Sequence, residues 1–171
     1  MKGTIVKCLE ELVKTKFGED KWRAILGKAG MDAHAVFMVT AVVPDADVLK
    51  LVGATAEVLG IPPQAAMDAF GEHWALVYAP KMYSLYFEKA KSAREFLLNM
   101  DKVHIAITKS AGATPPHFTY EEKGPKELIM HYKSPRGLVA LMPGLIQGVA
   151  KYYKEKVQVK VSGDAVTVTF A

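Results

Sequence analysis

Apolar positions recur with two different periods along the 171-residue chain. Up to about Lys109 the spacing is helical. Ile5, Leu9, Leu12 and Val13 stand at i, i+4, i+7 and i+8, the stripe of an amphipathic helix that Gly18 ends. Pro44-Asp45 opens a second helix, with Val48, Leu51, Val52 and Val58 inside and Gly60 at its end. Pro62-Pro63 supplies a rigid first turn for a third, from Gln64 to about Ala79, and Pro80 stops it. Ser92 is an N-cap for a further helix running through Phe96, Leu97, Met100 and His104 toward Lys109. After Gly112 the period changes. Residues 117–120 and 128–132 are short β-prone runs joined through Gly124-Pro125. A glycine-punctuated helical stretch spans about 137–151. Residues 157–161 and 165–170 then alternate apolar and polar around Ser162-Gly163-Asp164, a hairpin signal. The pattern predicts an α+β fold in one domain, 1–171. Its helical part covers about 1–110, and an antiparallel four-stranded sheet with a packed helix covers about 111–171.

Composition narrows the class. Half the residues are hydrophobic and 23% are charged, which describes a folded globular chain and excludes a disordered regulator. A single cysteine, Cys8, excludes an internal disulfide framework and any CxxC metal site. Of 22 basic residues only Arg23, Arg94 and Arg136 are arginine, and the lysines are scattered. The +4 net charge therefore reads as a solvated surface and not as a nucleic-acid footprint. Lys7, Glu10 and Glu11 interrupt any signal-peptide core, and no window reaches the roughly 18 apolar residues of a membrane span. A soluble, cytoplasmic protein is expected. Phosphate-binding glycine loops, a nucleophile elbow and HExxH are all missing from the sequence, which disfavours hydrolytic and phosphotransfer enzymes.

Three places could carry chemistry, each with an ordinary structural alternative. His104 has Leu97, Met100, Ile107, Thr108 and Ala111 as helical neighbours, so it projects from an apolar face. It is either a core histidine bonded to a backbone carbonyl or a neutral imidazole that ligates a metal in an apolar pocket. Thr114-Pro115-Pro116 is either a stiff helix-to-strand turn or a rigid wedge against a flat ligand. At strand spacing Tyr132, Ser134 and Arg136 share one face, where a phenol, a hydroxyl and a guanidinium suit paired carboxylates. Ser134-Pro135 is equally an N-cap and first-turn proline for the next helix.

Taken together and in this order, His104, Pro116 and Tyr132/Ser134/Arg136 resemble the signature of the haem nitric oxide/oxygen binding (H-NOX) family. That signature is a histidine, then a proline, then Y-x-S-x-R, and the family includes the haem domain of soluble guanylate cyclase. The similarity extends from Met1-Lys2-Gly3-Thr4-Ile5-Val6 to the closing hairpin. It implies haem b (iron protoporphyrin IX) buried between the helical and sheet parts, with His104 as proximal iron ligand. Tyr132, Ser134 and Arg136 would bind the propionates, and Pro116 would press on the macrocycle. Ile5, Leu9, Trp74, Tyr78, Leu141 and Leu145 are implied as distal wall.

The resemblance also frames the choice of gas. Oxygen-holding members place a donor tyrosine on the helix after Y-x-S-x-R, where an ungapped count puts Leu141 here. Leucine cannot donate, so the expectation is a nitric oxide sensor, open also to carbon monoxide, that excludes oxygen. Tyr78 offers a hydroxyl from another direction, and Pro143 would shift the count by kinking the helix. An oxygen sensor of the same fold is thus the alternative. Nitric oxide would weaken the bond to His104, free its helix and switch a histidine kinase or cyclic-di-nucleotide enzyme in trans, without enzymatic activity of the domain's own. Two competing classes are a haem enzyme consuming nitric oxide or peroxide, with His73 as acid–base group, and a haem-free interaction module in which His104 is core.

Overall fold

The computed structural model describes residues 1–108 and 114–171. Within it the chain packs as two compact units, Met1–Phe70 and Gly71–Ala171. The change of texture expected near Lys109 and Gly112, and with it the boundary at 110/111, lies outside the described residues.

Three helices make up most of the first unit. Helix α1 (Gly3–Phe17) buries Val6, Leu9, Leu12 and Val13, and the Gly18 N–H returns to the Lys14 carbonyl at its end. Helix α2 (Glu19–Lys28) follows with only Trp22, Ile25 and Leu26 buried, too short a stripe to stand out in the sequence. Helix α3 (Asp45–Leu59) ends where Gly60 adopts the left-handed conformation and its N–H reaches the Ala56 carbonyl. Val48 and Leu51 are buried as expected; Ala54 and Ala56 are buried too, while Val52 and Val58 are half-buried.

Helix α4 (Pro63–His73) does not stop at Pro80. It passes through a π-helical turn, Trp74–Tyr78, into α5 (Ala79–Met82), with Pro80 in the first turn of α5. The Ala79 N–H bonds the Trp74 carbonyl five residues back. This wider turn removes the clash that a proline ring makes with the carbonyl four residues before it, so the chain stays helical through Pro80. Helix α6 (Ser84–Lys89) follows.

The helix expected from Ser92 is in fact two, α7 (Ala93–Leu98) and α8 (Met100–Thr108). Ser92 caps α7 by accepting from the Glu95 N–H at 3.1 Å. The break falls at Asn99, whose side-chain amide donates to the Glu95 carbonyl at 2.9 Å and so takes an acceptor the backbone would otherwise use.

The sheet has strand order β1-β2-β4-β3, with β1 (His117–Lys123), β2 (Glu127–Lys133), β3 (Val157–Ser162) and β4 (Ala165–Phe170) all antiparallel. Alternate residues Phe118, Leu128, Met130, Val166 and Val168 share the inner face and join one core with Ile146 and Val149 of α9 (Met142–Tyr152). Pro143 lies in the first turn of α9, after a 3-10 turn at Leu138–Leu141, and therefore causes no kink within the helix. The fold is α+β as the pattern predicts.

Against α9 the end of α4 comes in backbone to backbone. A Cβ on Gly71 would lie 2.7 Å from the Leu145 amide nitrogen, and one on Gly148 would lie 2.7 Å from the Glu72 carbonyl oxygen. Lys151 and Glu72 pair beside this contact at 2.7 Å.

Candidate functional site

The second unit holds a cavity whose wall is almost wholly apolar. Helix α9 contributes Met142, Leu145, Ile146 and Val149; α6 and α7 contribute Phe87, Phe96 and Leu97; the sheet contributes Phe118 and Met130. Counted out to its open mouth, with the solvent there included, the space is about 720 Å³. Trp74, Ala75, Ala79 and Tyr83 form another side.

His104 is the imidazole in this wall. It comes from α8, one turn after Met100, and its Nδ1 donates to the Met100 carbonyl at 2.9 Å. A carbonyl only accepts, so Nδ1 carries the proton and Nε2 is the basic nitrogen. Burial holds its pKa below the ordinary histidine value, opposed by the Met100 bond and the nearby Asp101 carboxylate. The ring is thus neutral near pH 7, the form that ligates metals. Phe118 packs beside it with ring centroids 5.5 Å apart.

The other sequence-predicted residues divide. Trp74 and Leu145 line the cavity with His104, whereas Pro116, Tyr78, Leu141, Tyr132, Ser134 and Arg136 are not in its described wall. Tyr78 stacks on Trp74 at 5.4 Å. Tyr132 is one ring removed from His104, because its ring packs on Phe118 at 5.7 Å. Ile5 and Leu9 belong to α1 in the first unit, half-buried and buried respectively. Pro116 is half-buried directly before β1, and His73 ends α4 half-buried.

Shared strand spacing for Tyr132, Ser134 and Arg136 does not hold, since β2 ends at Lys133. Ser134 and Arg136 lie in a turn instead. The Arg136 N–H donates to Ser134 Oγ at 3.3 Å, the Gly137 N–H donates to the Ser134 carbonyl at 3.3 Å, and Arg136 Nη1 donates to the Thr114 carbonyl at 2.8 Å. That last bond ties the turn to the segment leading into Pro115-Pro116. The helix expected directly after Ser134-Pro135 begins later, at Leu138, with Gly137 left-handed before it.

Wall residues such as Phe87, Phe96, Met130 and Met142 escaped the sequence reading. Apolar residues that line a cavity carry the same periodic signal as those that fill a core.

Chemically, the arrangement offers one neutral nitrogen donor inside an apolar enclosure. Among the described residues no group of three His, Cys, Asp or Glu side chains could hold a metal ion. His104 therefore suits a metal whose remaining ligands come with it, as in a flat apolar macrocycle. The residues present fit such a group. No described helix is long and apolar enough to cross a membrane.

Comparison with known proteins agrees with this chemistry. The chain is similar to soluble guanylate cyclase gcy-34 of Caenorhabditis elegans, 27% identical over 157 residues that cover 88% of this chain and 23% of that protein. It thus spans about a quarter of the length of the curated relatives it matches. Its fold superimposes on an oxygen-binding H-NOX domain related to soluble guanylate cyclases, crystallised as the oxygen complex. There the TM-score is 0.82 and the identity 26%, covering 99% of this chain and 95% of that one. An H-NOX protein from S. oneidensis in the Fe(II)NO state shares the fold with a TM-score of 0.87 at 21% identity, covering 100% of this chain and 98% of that one. The family model described as Haem-NO-binding matches residues 2–161. With nearly its whole length matched, the chain belongs to the H-NOX family of haem-based gas-sensor domains.

Proposed function

We propose that this domain binds haem b with His104 as the axial iron ligand and serves as a nitric oxide sensor. One observation carries the reading: His104 stands in an apolar cavity wall with its Nδ1 hydrogen bonded to Met100 and its basic nitrogen left as Nε2. When bound, the haem supplies the iron that receives the gas. Every other part of the function falls to the chain's own residues. Tyr132, Ser134 and Arg136 answer the propionates, and Pro116 presses on the ring. Within the second unit, Trp74, Tyr78, Leu141 and Leu145 belong to the distal side. Release of His104 frees α8, and that movement is the signal, passed in the cytoplasm to a histidine kinase or cyclic-di-nucleotide enzyme.

Selectivity for nitric oxide is supported by α9. Its four cavity residues, Met142, Leu145, Ile146 and Val149, have no hydrogen-bond donor in their side chains. Bound oxygen draws negative charge and needs such a donor, whereas nitric oxide does not. A specific observation favours the oxygen alternative. Tyr83 lines the same cavity, and burial raises its pKa, so it carries a neutral phenol.

The spectrum of the purified protein tests all of this. A Soret band is expected, with a pyridine haemochrome typical of haem b. His104→Gly should lose the five-coordinate ferrous spectrum and regain it with imidazole, and in that state it should signal as the nitric oxide form does. A Soret spectrum unaltered in His104→Gly sinks the ligand assignment. A persistent oxygen complex in air sinks the selectivity, and its loss in Tyr83→Phe would then name the donor.

A further inference from the structure

Helix α8 is joined to strand β1 by a closed set of hydrogen bonds that neither the cavity nor the sheet ladder requires. Asp101, in the first turn of α8, accepts at Oδ1 from the Phe118 N–H at 2.9 Å and from His117 Nδ1 at 3.3 Å. In return the Asp101 N–H donates to the Tyr120 hydroxyl oxygen at 3.1 Å. One residue of the helix thus meets three residues of the strand, two through its side chain and one through its backbone.

The position explains the strength of the link. Strand β1 is at the edge of the sheet, with β2 on one side only. The Phe118 N–H that points away from β2 has no strand to receive it, and a carboxylate is a strong acceptor for such an amide. The helix gains equally. Its first-turn N–H groups have no acceptor within the helix, and the Tyr120 hydroxyl takes one of them. Each partner satisfies a group that the other element leaves over.

From this geometry we propose that Asp101 is a positioning residue for His104, fixing the first turn of α8 to the edge of β1 and thereby setting the strain on the bond from His104 to iron. The inference rests on the reading of His104 as the axial ligand. The route is short. Met100 precedes Asp101 and its carbonyl holds His104 Nδ1. Phe118, whose backbone Asp101 holds, packs its ring on that of His104. The imidazole is therefore held on two sides by residues whose places depend on Asp101. When the ligand bond changes, the helix moves against this clasp, and the Phe118 amide is where the movement is felt in the sheet.

Four forms of the haem-loaded protein test the proposal: wild type, Asp101→Ala, Asp101→Asn and Tyr120→Phe. The readouts are the iron–histidine stretching band of the ferrous state and hydrogen exchange of the Phe118 amide. Asp101→Ala should speed exchange at Phe118 about tenfold or more, the loss expected for one charge-assisted bond, and should shift the iron–histidine band. Asp101→Asn keeps an oxygen acceptor and should stay near wild type on both. Tyr120→Phe removes the acceptor of the Asp101 N–H and should shift the band without that gain in exchange at Phe118. A band in Asp101→Ala that superimposes on wild type overturns the proposal, whatever the exchange rate does. If Asp101→Ala does not fold, Tyr120→Phe decides: an unshifted band refutes the positioning role. Failure of the ligand reading is visible separately, as a wild-type ferrous protein with no iron–histidine band or a His104→Gly protein that keeps it.

Discussion

Replacing Gly148 by alanine should destabilise the protein, although alanine is the better helix former. Gly148 is inside α9, and the added Cβ would stand 2.7 Å from the Glu72 carbonyl oxygen, 2.8 Å from Ala75 Cβ and 3.0 Å from Glu72 Cα. All three are backbone or first-carbon atoms of a neighbouring helix, so no rotamer change relieves them. Overpacking of this kind costs about 1–3 kcal/mol, and contact with rigid atoms on every side puts it near the top of that range. The propensity gain returns about 1 kcal/mol. The balance is a loss of about 2 kcal/mol, or roughly 4–8 °C in Tm for a chain of this size. Gly71→Ala meets the Leu145 amide nitrogen at 2.7 Å and should behave alike. Gly53→Ala is the control. It is also helical, in α3, but nothing lies within 4 Å of its Cβ, so it should raise Tm by about 2–4 °C. Thermal unfolding followed by circular dichroism reads all three. Gly148→Ala melting at or above wild type would refute the packing argument.

Other consequences are equally direct. Ser92→Ala removes the cap of α7, and a loss of about 1 kcal/mol in urea unfolding is expected; no loss would mean the 3.1 Å bond is idle in solution. Burial pushes Glu10 up, but its bonds to Lys14 and Lys7 outweigh this and hold it below its usual 4.5. Its contribution is present above that value and lost as pH falls through the folded one. Glu10→Gln should therefore flatten the acid limb of the stability profile by under about 1 kcal/mol, and an unchanged limb counts against the pairing. Cys8 is fully buried, and desolvation together with the nearby Glu11 raises its thiol pKa, so native protein should resist alkylation until it unfolds. Labelling at the rate of a free thiol contradicts that burial.

Sequence periodicity shows through where an element answers to one side only. Helix α1, helix α3 and the β3–β4 hairpin each bury one stripe or face, and their ends carry glycine or turn residues. The pattern misleads where a local rule is overridden by a contact far along the chain. Pro80 reads as a stop, yet the widened turn before it keeps the helix going. Asn99 has no breaker's reputation, yet its side chain divides α7 from α8. Of the site, His104 was legible because a polar ring on an apolar face is conspicuous. Tyr132, Ser134 and Arg136 were legible as a motif, but a regular strand was the wrong geometry for them, since nothing in their spacing marks the turn after Lys133.

The π turn at Trp74–Tyr78 makes this stretch sensitive to length in a way that substitution does not reveal. A π turn holds one residue more than the α turn it replaces, and each residue advances an α-helix by about 100°. Deleting any one of these five residues would let the segment relax to ordinary α-helical spacing. The helix after it would keep its direction, since the wider turn closes the same circle with that one extra residue, but its backbone would no longer make room for a proline. Pro80 would meet the carbonyl that the wider turn now keeps clear of it. Side chains here can be exchanged one at a time, but their number cannot.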